Sequence, residues 1–398
     1  MTYHILKYTD SSLPDYLINE VKKRGEYSEK KDLNADELKK AYEKTNILLV
    51  SGGTKITKEV YEKFKNVKMI ADFGVGYDGI DVNEAIKRNI FISHTPNVLN
   101  DDVANTAVAL LINVTRQMIE AHKFIERKDW EKGSVMPLGV SLTGLKVGIA
   151  GLGRIGKAIA ARLEAFKCDI AYFAHSKKDV SYKFFTSLKD MTSWCDALII
   201  AMPSTKETFH CINEEILEKL GPNGFLVNIA RGALVDTDAL IKALDNKTIA
   251  GAGLDVFEHE PTVPQALFNR PNVVLTPHIG SATTYTRMEM AKLVLANIDA
   301  FIAGKNLVTK VPGTRRLMNN IEFAKLNDKR LSHEARSLYL FYLRPLAERG
   351  LCLIDLPALS LAMETISLEC PFIPTEKLIT GLLNELNALG FIKKKEQS

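Results

Sequence analysis

Residues 145–156 read Leu-Lys-Val-Gly-Ile-Ala-Gly-Leu-Gly-Arg-Ile-Gly, an apolar run that leads directly into a Gly-x-Gly-x-x-Gly motif. The next residues, 157–166, have the pattern of a helix. In this context Gly151 permits a tight turn, Gly153 lets a pyrophosphate approach the backbone, and Gly156 lets the helix pack closely on the strand. The phosphates would bind at the helix N-terminus. The stretch therefore predicts a dinucleotide-binding unit in mid-chain, the alternative being a tight turn without a ligand.

The composition is that of an ordinary soluble globular protein, because 46% of the residues are hydrophobic and 25% are charged. A length of 398 residues suggests two or three domains, and a net charge of +4 is too small to indicate a polyanionic partner. The five scattered cysteines indicate reduced thiols in a cytosolic protein without a metal site. With neither a signal-peptide pattern nor an apolar run long enough to span a membrane, we expect a cytoplasmic protein.

Short apolar runs alternate with helical patterns along most of the chain, which is the signature of parallel sheets. Before the glycine loop, strands are predicted at residues 4–8, 47–50, 69–73 and 90–93, with helices at 14–24, 35–45, 58–64 and 82–88. One long helix is predicted over residues 103–124. After the loop, nearly all-apolar strands are predicted at 170–174, 197–202, 225–230, 253–256 and 273–276.

This order predicts an α/β protein with two Rossmann-like, doubly wound parallel-sheet domains and a small, mainly helical C-terminal domain. Residues 1–100 with 285–313 would form a flavodoxin-like substrate domain, and residues 101–284 the nucleotide-binding domain. Residues 314–398 would form the C-terminal appendage. Within the appendage, helices are predicted at residues 332–349, 357–366 and 375–389, and a short strand at 391–393.

Arg231, Glu260 and His278 each follow a different predicted strand. Ligands of parallel sheets bind beyond the carboxyl ends of the strands, so these side chains are expected to meet. Reduction of a 2-keto acid needs a cation for the carboxylate and carbonyl, a proton donor for the alkoxide, and a carboxylate to orient that donor. Arg231, His278 and Glu260 supply these groups. Taken singly they could be an ion-pair partner, a capping histidine and a solvated carboxylate; their joint placement favours catalysis.

The chain resembles the D-isomer-specific 2-hydroxyacid dehydrogenases over roughly residues 1–312. The matching segments are residues 73–81, 95–104, 145–156, 228–232, 254–261 and 276–280. Two of them, Gly-Val-Gly-Tyr-Asp-Gly-Ile-Asp and Asn-Val-Leu-Asn-Asp-Asp-Val-Ala, are most similar to the glyoxylate/hydroxypyruvate reductase branch. The resemblance therefore implies a reductase of small 2-keto acids that produces the D-2-hydroxy acid.

The resemblance also implies individual roles. Arg231 would bind the substrate, His278 would be the acid/base, and Glu260 would be its partner. The backbone amides of Val75 and Gly76 would hold the substrate carboxylate. The family forms homodimers, largely through the nucleotide-binding domain and the long helix that opens it.

The cofactor contacts combine the glycine motif with further positions that the resemblance implies. Asp255 would bind the nicotinamide carboxamide, and Pro203 and Thr208 would line the cofactor site. The full set of expected cofactor contacts is Gly151, Gly153, Arg154, Ile155, Gly156, His175, Ser176, Lys177, Pro203, Thr208, Ile229, Asp255 and Gly280.

The residue that follows the second strand of the nucleotide-binding unit indicates which nicotinamide cofactor is used. NAD enzymes place a carboxylate there, on the ribose 2′-hydroxyl. Ala174 occupies this position here, and His175, Ser176 and Lys177 then offer a hydroxyl and cations for a 2′-phosphate. We therefore expect NADP(H) to be preferred, with NAD possible if the loop is only a solvated basic segment or if Asp179 replaces the missing acid.

The C-terminal appendage resembles a winged helix, and residues 393–395, Lys-Lys-Lys, could contact phosphates from its wing. From residue 315 onward, however, twelve Lys and Arg stand against ten Asp and Glu, which is not a strongly basic face. An oligomerisation appendage or a gene fusion is the favoured explanation, and DNA binding the less favoured one. A nicotinamide-sensing regulator that uses this segment to bind DNA or a protein is the alternative to an enzyme.

Overall fold

The computed structural model of the chain describes residues 2–314 and positions 381, 383 and 384. Two parallel sheets organise this part, as the α/β prediction requires. The first has the order β2-β1-β3-β4-β5, from strands β1 His4–Lys7, β2 Glu26–Glu29, β3 Ile47–Ser51, β4 Met69–Phe73 and β5 Phe91–Ser93. The second has the order β12-β11-β10-β9-β6-β7-β8, from β6 Lys146–Ala150, β7 Asp169–Phe173, β8 Lys183–Phe185, β9 Ala197–Ile200, β10 Phe225–Asn228, β11 Gly251–Leu254 and β12 Val273–Leu275.

Helices connect the strands and cover the sheets. They are α1 Asp15–Lys22, α2 Ala35–Lys44, α3 Lys58–Lys63, α4 Val82–Lys87, α5 Asn100–Arg116, α6 Met118–Glu126, α7 Arg154–Ala165, α8 Leu188–Trp194, α9 Glu214–Leu220, α10 Thr237–Asp245 and α11 Thr284–Ile302. Helix α5 packs on α7 and on strands β10 and β11, whereas α11 packs on β4 and α1 of the first sheet. Among the described residues, no helix is long and apolar enough to cross a membrane.

The core lies between the sheets and their helices. The central strands of the second sheet contribute Val147, Ile149, Ile199 and Val227, all fully buried. These apolar runs without alternation are typical of parallel strands that are covered on both faces. The strand order reverses at β6, between β9 and β7, and the glycine motif begins directly after β6. Such a reversal opens a crevice for a ligand, so the fold sets the motif at the expected binding position.

The structure differs from the predictions in several elements, and helices α8, α9 and α10 were not predicted. The edge strands β2 and β8 were not predicted, and the helix expected over residues 103–124 is two helices, α5 and α6. The break falls at Gln117, whose φ of 51° and ψ of 42° lie in the left-handed region. The winged-helix prediction lies outside the described residues, except that positions 381, 383 and 384 are helical, as the helix predicted for 375–389 requires.

Candidate active site

The carboxyl ends of strands from both sheets face one cleft of about 990 Å³. Arg231, Glu260 and His278 all line it, together with Asp78 from the loop after β4. The structure thus brings together the three side chains that the sequence analysis selected from separate strands. One cleft contains Arg231, His278, Asp78 and Glu260, which come from both halves of the described chain.

Arg231 is presented by a turn that Asn228, the last residue of β10, stabilises. The Asn228 side chain accepts a hydrogen bond from the Ala230 amide at 3.0 Å and donates one to the Arg231 carbonyl at 2.9 Å. The guanidinium then reaches across the cleft, where its Nε and Nη2 each lie 2.9 Å from Asp78 Oδ1. The backbone position of Arg231 is therefore fixed by its own strand, and its guanidinium by the opposite sheet.

His278 and Glu260 form the second pair of the cleft. His278 Nδ1 lies 2.8 Å from Glu260 Oε2, and the other carboxylate oxygen accepts the Phe257 amide at 3.0 Å. Burial raises the pKa of Glu260, but the hydrogen bond and charge of His278, with smaller contributions from Phe257 and Arg231, outweigh it, so the pKa is lowered overall. Glu260 is therefore an anion near neutral pH. Because its contact is to Nδ1, the Nε2 atom of His278 remains for a substrate.

Asp255 holds the loop that carries His278. One carboxylate oxygen accepts the Thr276 hydroxyl at 2.6 Å and the Ile279 amide at 2.8 Å, and the other accepts the Gly280 amide at 2.9 Å. His278 has a φ of 53°, a left-handed conformation that is unfavourable for a residue other than glycine. These bonds offset that cost. Asp255, expected as a cofactor contact, is thus also the structural support of the loop that carries His278.

The loop after β4 offers free donors next to Arg231. The amides of Val75 and Gly76 donate no hydrogen bond to any described residue. His94 Nδ1 lies 2.9 Å from the Val75 carbonyl oxygen, and this contact supports the loop. Burial lowers the pKa of His94, and the charge of Arg154 lowers it further, whereas the hydrogen bond to Val75 raises it. The pKa is lowered overall, so the imidazole is neutral near pH 7. Two free amides beside a guanidinium can hold a carboxylate.

The glycine motif has the geometry that its sequence predicts. Gly151 has a φ of +102°, and a Cβ there would lie 2.8 Å from the Ala201 carbonyl oxygen. Gly153 caps α7, and a Cβ at Gly156 would lie 2.1 Å from the Gly151 carbonyl oxygen. The turn and the helix therefore fit together only without side chains at Gly151 and Gly156, whereas the space beside Gly153 is open, as a pyrophosphate-binding turn requires. Helix α7 begins at Arg154, three residues before the predicted start.

Other expected cofactor contacts surround this turn. His175, Ser176 and Lys177 are exposed after β7, and Lys178 brings its Nζ to 3.0 Å from the Ser176 hydroxyl, which adds a cation to the group. In the loop after β9, Thr208 accepts the Thr205 amide at 2.7 Å and donates to the Pro203 carbonyl at 3.1 Å. Ile229 is buried just after β10, and Arg154 donates to Asn97 of the opposite domain at 3.0 Å.

The sequence analysis did not identify three features in or near the site. Asp78 lies within a segment that resembles the family, but no pattern connects it to a residue 153 positions later. His94 and the pair of His210 with Glu258, whose Nε2 and Oε1 lie 2.7 Å apart, gave no recognisable motif either. The signal that could have found Asp78 is its place, two residues after the Gly-Val-Gly that follows a predicted strand. A carboxylate there faces any cation of the cleft.

Comparison with known proteins agrees with this geometry. The family model described as D-isomer specific 2-hydroxyacid dehydrogenase, NAD binding domain, matches residues 108–280. The hydroxyphenylpyruvate reductase of Plectranthus scutellarioides is 44% identical over 254 residues, 64% of this chain and 81% of that protein. The glyoxylate reductase of Pyrococcus horikoshii is 41% identical over 288 residues, 70% of this chain and 86% of that protein.

A solved structure gives the same result. The NADPH-dependent glyoxylate/hydroxypyruvate reductase of Sinorhizobium meliloti, in complex with NADP and malonate, superposes with a TM-score of 0.74 at 37% identity. The match covers 80% of this chain and 99% of that one. These relatives are reductases and lend no support to a nicotinamide-sensing regulator. By sequence and by fold, the chain belongs to the D-isomer-specific 2-hydroxyacid dehydrogenase family.

Proposed function

We propose that the protein reduces small 2-keto acids of the glyoxylate/hydroxypyruvate type to the D-2-hydroxy acid, with a nicotinamide coenzyme as reductant. The observation that carries this is the pairing of His278 with Glu260 in the same cleft as Arg231. The names of the relatives, glyoxylate reductase and hydroxypyruvate reductase among them, support the same substrate class.

In the proposed mechanism, the substrate carboxylate binds the free amides of Val75 and Gly76, and the guanidinium of Arg231 donates to the keto oxygen. Arg231 thereby stabilises negative charge that develops on this oxygen in the transition state. His278 Nε2 donates the proton that converts the alkoxide to a hydroxyl, while Glu260 holds the imidazole by Nδ1. The nicotinamide coenzyme, when bound at the glycine turn, supplies the hydride.

The proposal includes a preference for NADP(H). Its support is the uncharged Ala174 at the end of the second strand and the group of Ser176, Lys177 and Lys178 beyond it. The 2′-phosphate of NADPH would meet cations here and no carboxylate at the ribose position. The solved relative that binds NADP supports this preference.

Substitution Ala174→Asp tests the preference, because a carboxylate there would repel the 2′-phosphate and accept the 2′-hydroxyl of NADH. We expect the ratio of kcat/KM for NADPH to that for NADH to fall at least about tenfold, which corresponds to 1.4 kcal/mol. Lys189→Ala, which removes a surface lysine on α8, is the matched control. An equal or higher kcat/KM of the wild-type enzyme with NADH than with NADPH would exclude the preference.

The proposal also includes a homodimer, as the family resemblance implies. Its support is a group of exposed apolar side chains on α6 and the segment that follows it: Met118, Ile119, Ile125, Trp130, Val135, Leu138 and Val140. Leu138 is 97% exposed and Trp130 is 71% exposed. Large apolar side chains exposed in one stretch of the chain are typical of a protein interface, and a second copy of the chain is the partner we propose.

A substrate screen tests the proposed reaction as a whole. The purified protein is offered glyoxylate, hydroxypyruvate and an aromatic keto acid, each with NADPH and with NADH, and coenzyme oxidation is followed at 340 nm. We expect the highest kcat/KM with glyoxylate or hydroxypyruvate, and D-glycerate as the product from hydroxypyruvate. Formation of L-glycerate, or turnover of none of the keto acids, would refute the proposal.

A further inference from the structure

Two basic side chains of the cleft, Arg231 and His278, each pair with one carboxylate. Arg231 is paired with Asp78 through two nitrogen–oxygen distances of 2.9 Å, and His278 is paired with Glu260 at 2.8 Å. The mechanism proposed above uses Arg231, His278 and Glu260, and it gives no role to Asp78. An anion beside the cation that must bind an anionic substrate needs an explanation.

The geometry of the guanidinium supplies the first part of that explanation. Arg231 directs its Nε and Nη2 edge at Asp78 Oδ1, and its Nη1 donates to the Ala230 carbonyl at 2.7 Å. A guanidinium has five N–H groups in a rigid fork. Three are used here, which leaves one N–H on each terminal nitrogen. Asp78 thus binds the edge of the guanidinium formed by Nε and Nη2, and the N–H groups left on Nη1 and Nη2 are available to a substrate oxygen.

The absence of a side chain at Gly76 lets the Arg231 guanidinium approach the loop backbone closely. A Cβ on Gly76 would be 1.8 Å from Arg231 Nη2 and 2.9 Å from Asp78 Oδ1. The pair therefore lies directly on the backbone of the loop whose free amides are proposed to bind the substrate carboxylate. The guanidinium is thereby held next to the point where the keto group of that substrate would lie.

Glu260 is the competitor for this guanidinium. It lines the same cleft as Arg231, and its carboxylate feels the Arg231 charge. An arginine without a carboxylate partner in a half-buried cleft would approach a neighbouring anion such as Glu260, because charges attract strongly there. If Arg231 took Glu260, His278 would lose the group that orients its imidazole. With Asp78 on Arg231, Glu260 stays paired with His278.

We propose that Asp78 is a positioning residue that holds the Arg231 guanidinium with its end toward the substrate and reserves Glu260 for His278. The inference rests on the proposed function, because it assumes that Arg231 and His278 act on a keto acid. Asp78 itself does not touch the reacting atoms. Its influence on the rate passes through Arg231 and, indirectly, through the pair of His278 and Glu260.

A double-mutant cycle between Asp78 and Glu260 tests this role. We expect Asp78→Ala to lower kcat/KM for glyoxylate by about 10- to 100-fold in the wild-type background, and Asp78→Asn, which keeps an acceptor for Arg231, to lower it less. In the Glu260→Gln background Arg231 can no longer take the carboxylate of His278, so Asp78→Ala should cost at least about fivefold less there. If Asp78→Ala caused only a structural defect, its fold-loss in kcat/KM would be the same in both backgrounds, and the losses of the two substitutions would multiply in the double mutant.

Gly76→Ala is a second variant that leaves Asp78 intact. The added methyl group meets the flexible end of Arg231, so the chain can fold, but the ion pair must shift. We expect a loss of kcat/KM of at least about tenfold with Tm changed by only a few degrees. Asp245→Asn, which opens a similar Arg–Asp contact of 2.7 Å far from the cleft, should leave turnover unchanged.

The outcomes distinguish this inference from the function on which it rests. If the wild type reduces keto acids and Asp78→Ala reduces them equally well, the positioning role is wrong and the proposed function stands. The role would also be overturned if the fold-losses in kcat/KM caused by Asp78→Ala and Glu260→Gln multiplied in the double mutant. If the wild type reduces no keto acid, the proposed function itself fails.

Discussion

The functional side chains of the cleft are fixed mainly by backbone contacts made by neighbouring polar residues. Asp255 accepts three donors from the loop of residues 276–280, and Asn228 closes the turn before Arg231. Such supports keep catalytic groups within a narrow range of geometry, which lowers the reorganisation needed during reaction. The chemistry of the site therefore depends on residues that need not touch the substrate.

Asp72 is the most unusual residue beneath the site. It is the fourth residue of β4, its side chain is almost completely buried, and neither carboxylate oxygen has a partner among the described residues. Burial raises its pKa well above the ordinary value, although the charge of Arg231 opposes this and that of Asp78 adds to it. Asp72 is therefore protonated in the folded protein at pH values where it ionises in the unfolded chain.

This difference gives a pH-dependent cost that Asp72→Asn should remove. A folded-state pKa above the unfolded one means that stability is fully present below the unfolded pKa and is lost as pH rises through the folded pKa. We expect Asp72→Asn to be more stable than the wild type at pH 7 to 8, by about 1 kcal/mol or more, and nearly equal to it at pH 4. Thermal unfolding at both pH values measures this.

Equal stability differences at pH 4 and pH 8 would contradict the prediction, since the cost would then not come from ionisation. Asp36→Asn is a suitable control, because Asp36 lies in the first turn of α2 and its carboxylate is exposed. It should leave the pH dependence of Tm unchanged.

At the scale of elements, apolar runs and glycines predicted most of the structure, and edges and breaks were missed for physical reasons. Strand β2 reads Glu-Tyr-Ser-Glu and lies at the edge of its sheet, so it is partly exposed and lacks the apolar pattern of a buried strand. Strand β8 is a three-residue edge strand. The left-handed residue between α5 and α6 is Gln117, which is not one of the residue types that normally signal such a break.

Gln117→Gly should stabilise the protein, because glycine adopts the left-handed conformation without the steric cost that a side chain carries. We expect a gain of about 0.5–1 kcal/mol in the free energy of unfolding, measured by urea denaturation at fixed protein concentration. Gln117→Ala, which retains a Cβ, should gain nothing. If alanine stabilised the protein more than glycine, residues 103–124 would behave as one continuous helix, as the sequence pattern predicted.

At the scale of the whole molecule, the meeting of Arg231, Glu260 and His278 was predictable because parallel strands share one carboxyl edge. The loop after β4 was predicted only through the family resemblance. The contact of Arg231 with Asp78 joins the two sheets, and neither periodicity nor spacing contains information on how two sheets face each other. The support of His278 by Asp255 was missed for a similar reason, since it depends on a local hydrogen-bond network.

The proposed dimer makes a prediction at this scale. Leu138→Asp places a charge in the exposed apolar group on α6 and its following segment, where burial against a second copy would require its desolvation. We expect the wild type to have twice the monomer mass by light scattering at micromolar concentration, and Leu138→Asp to have the monomer mass. Val308→Asp, at an exposed position outside this group, should remain dimeric. A monomeric wild type would refute the proposal.

The central claim is that His278 supplies a proton to a keto acid in a cleft where the coenzyme binds independently of it. Pre-steady-state reduction of glyoxylate by His278→Gln, measured beside NADPH binding by fluorescence, tests this most directly. We predict a rate lowered by about 10²- to 10⁴-fold and an NADPH Kd within about twofold of the wild-type value. A His278→Gln variant that reduces glyoxylate within tenfold of the wild-type rate would contradict the account.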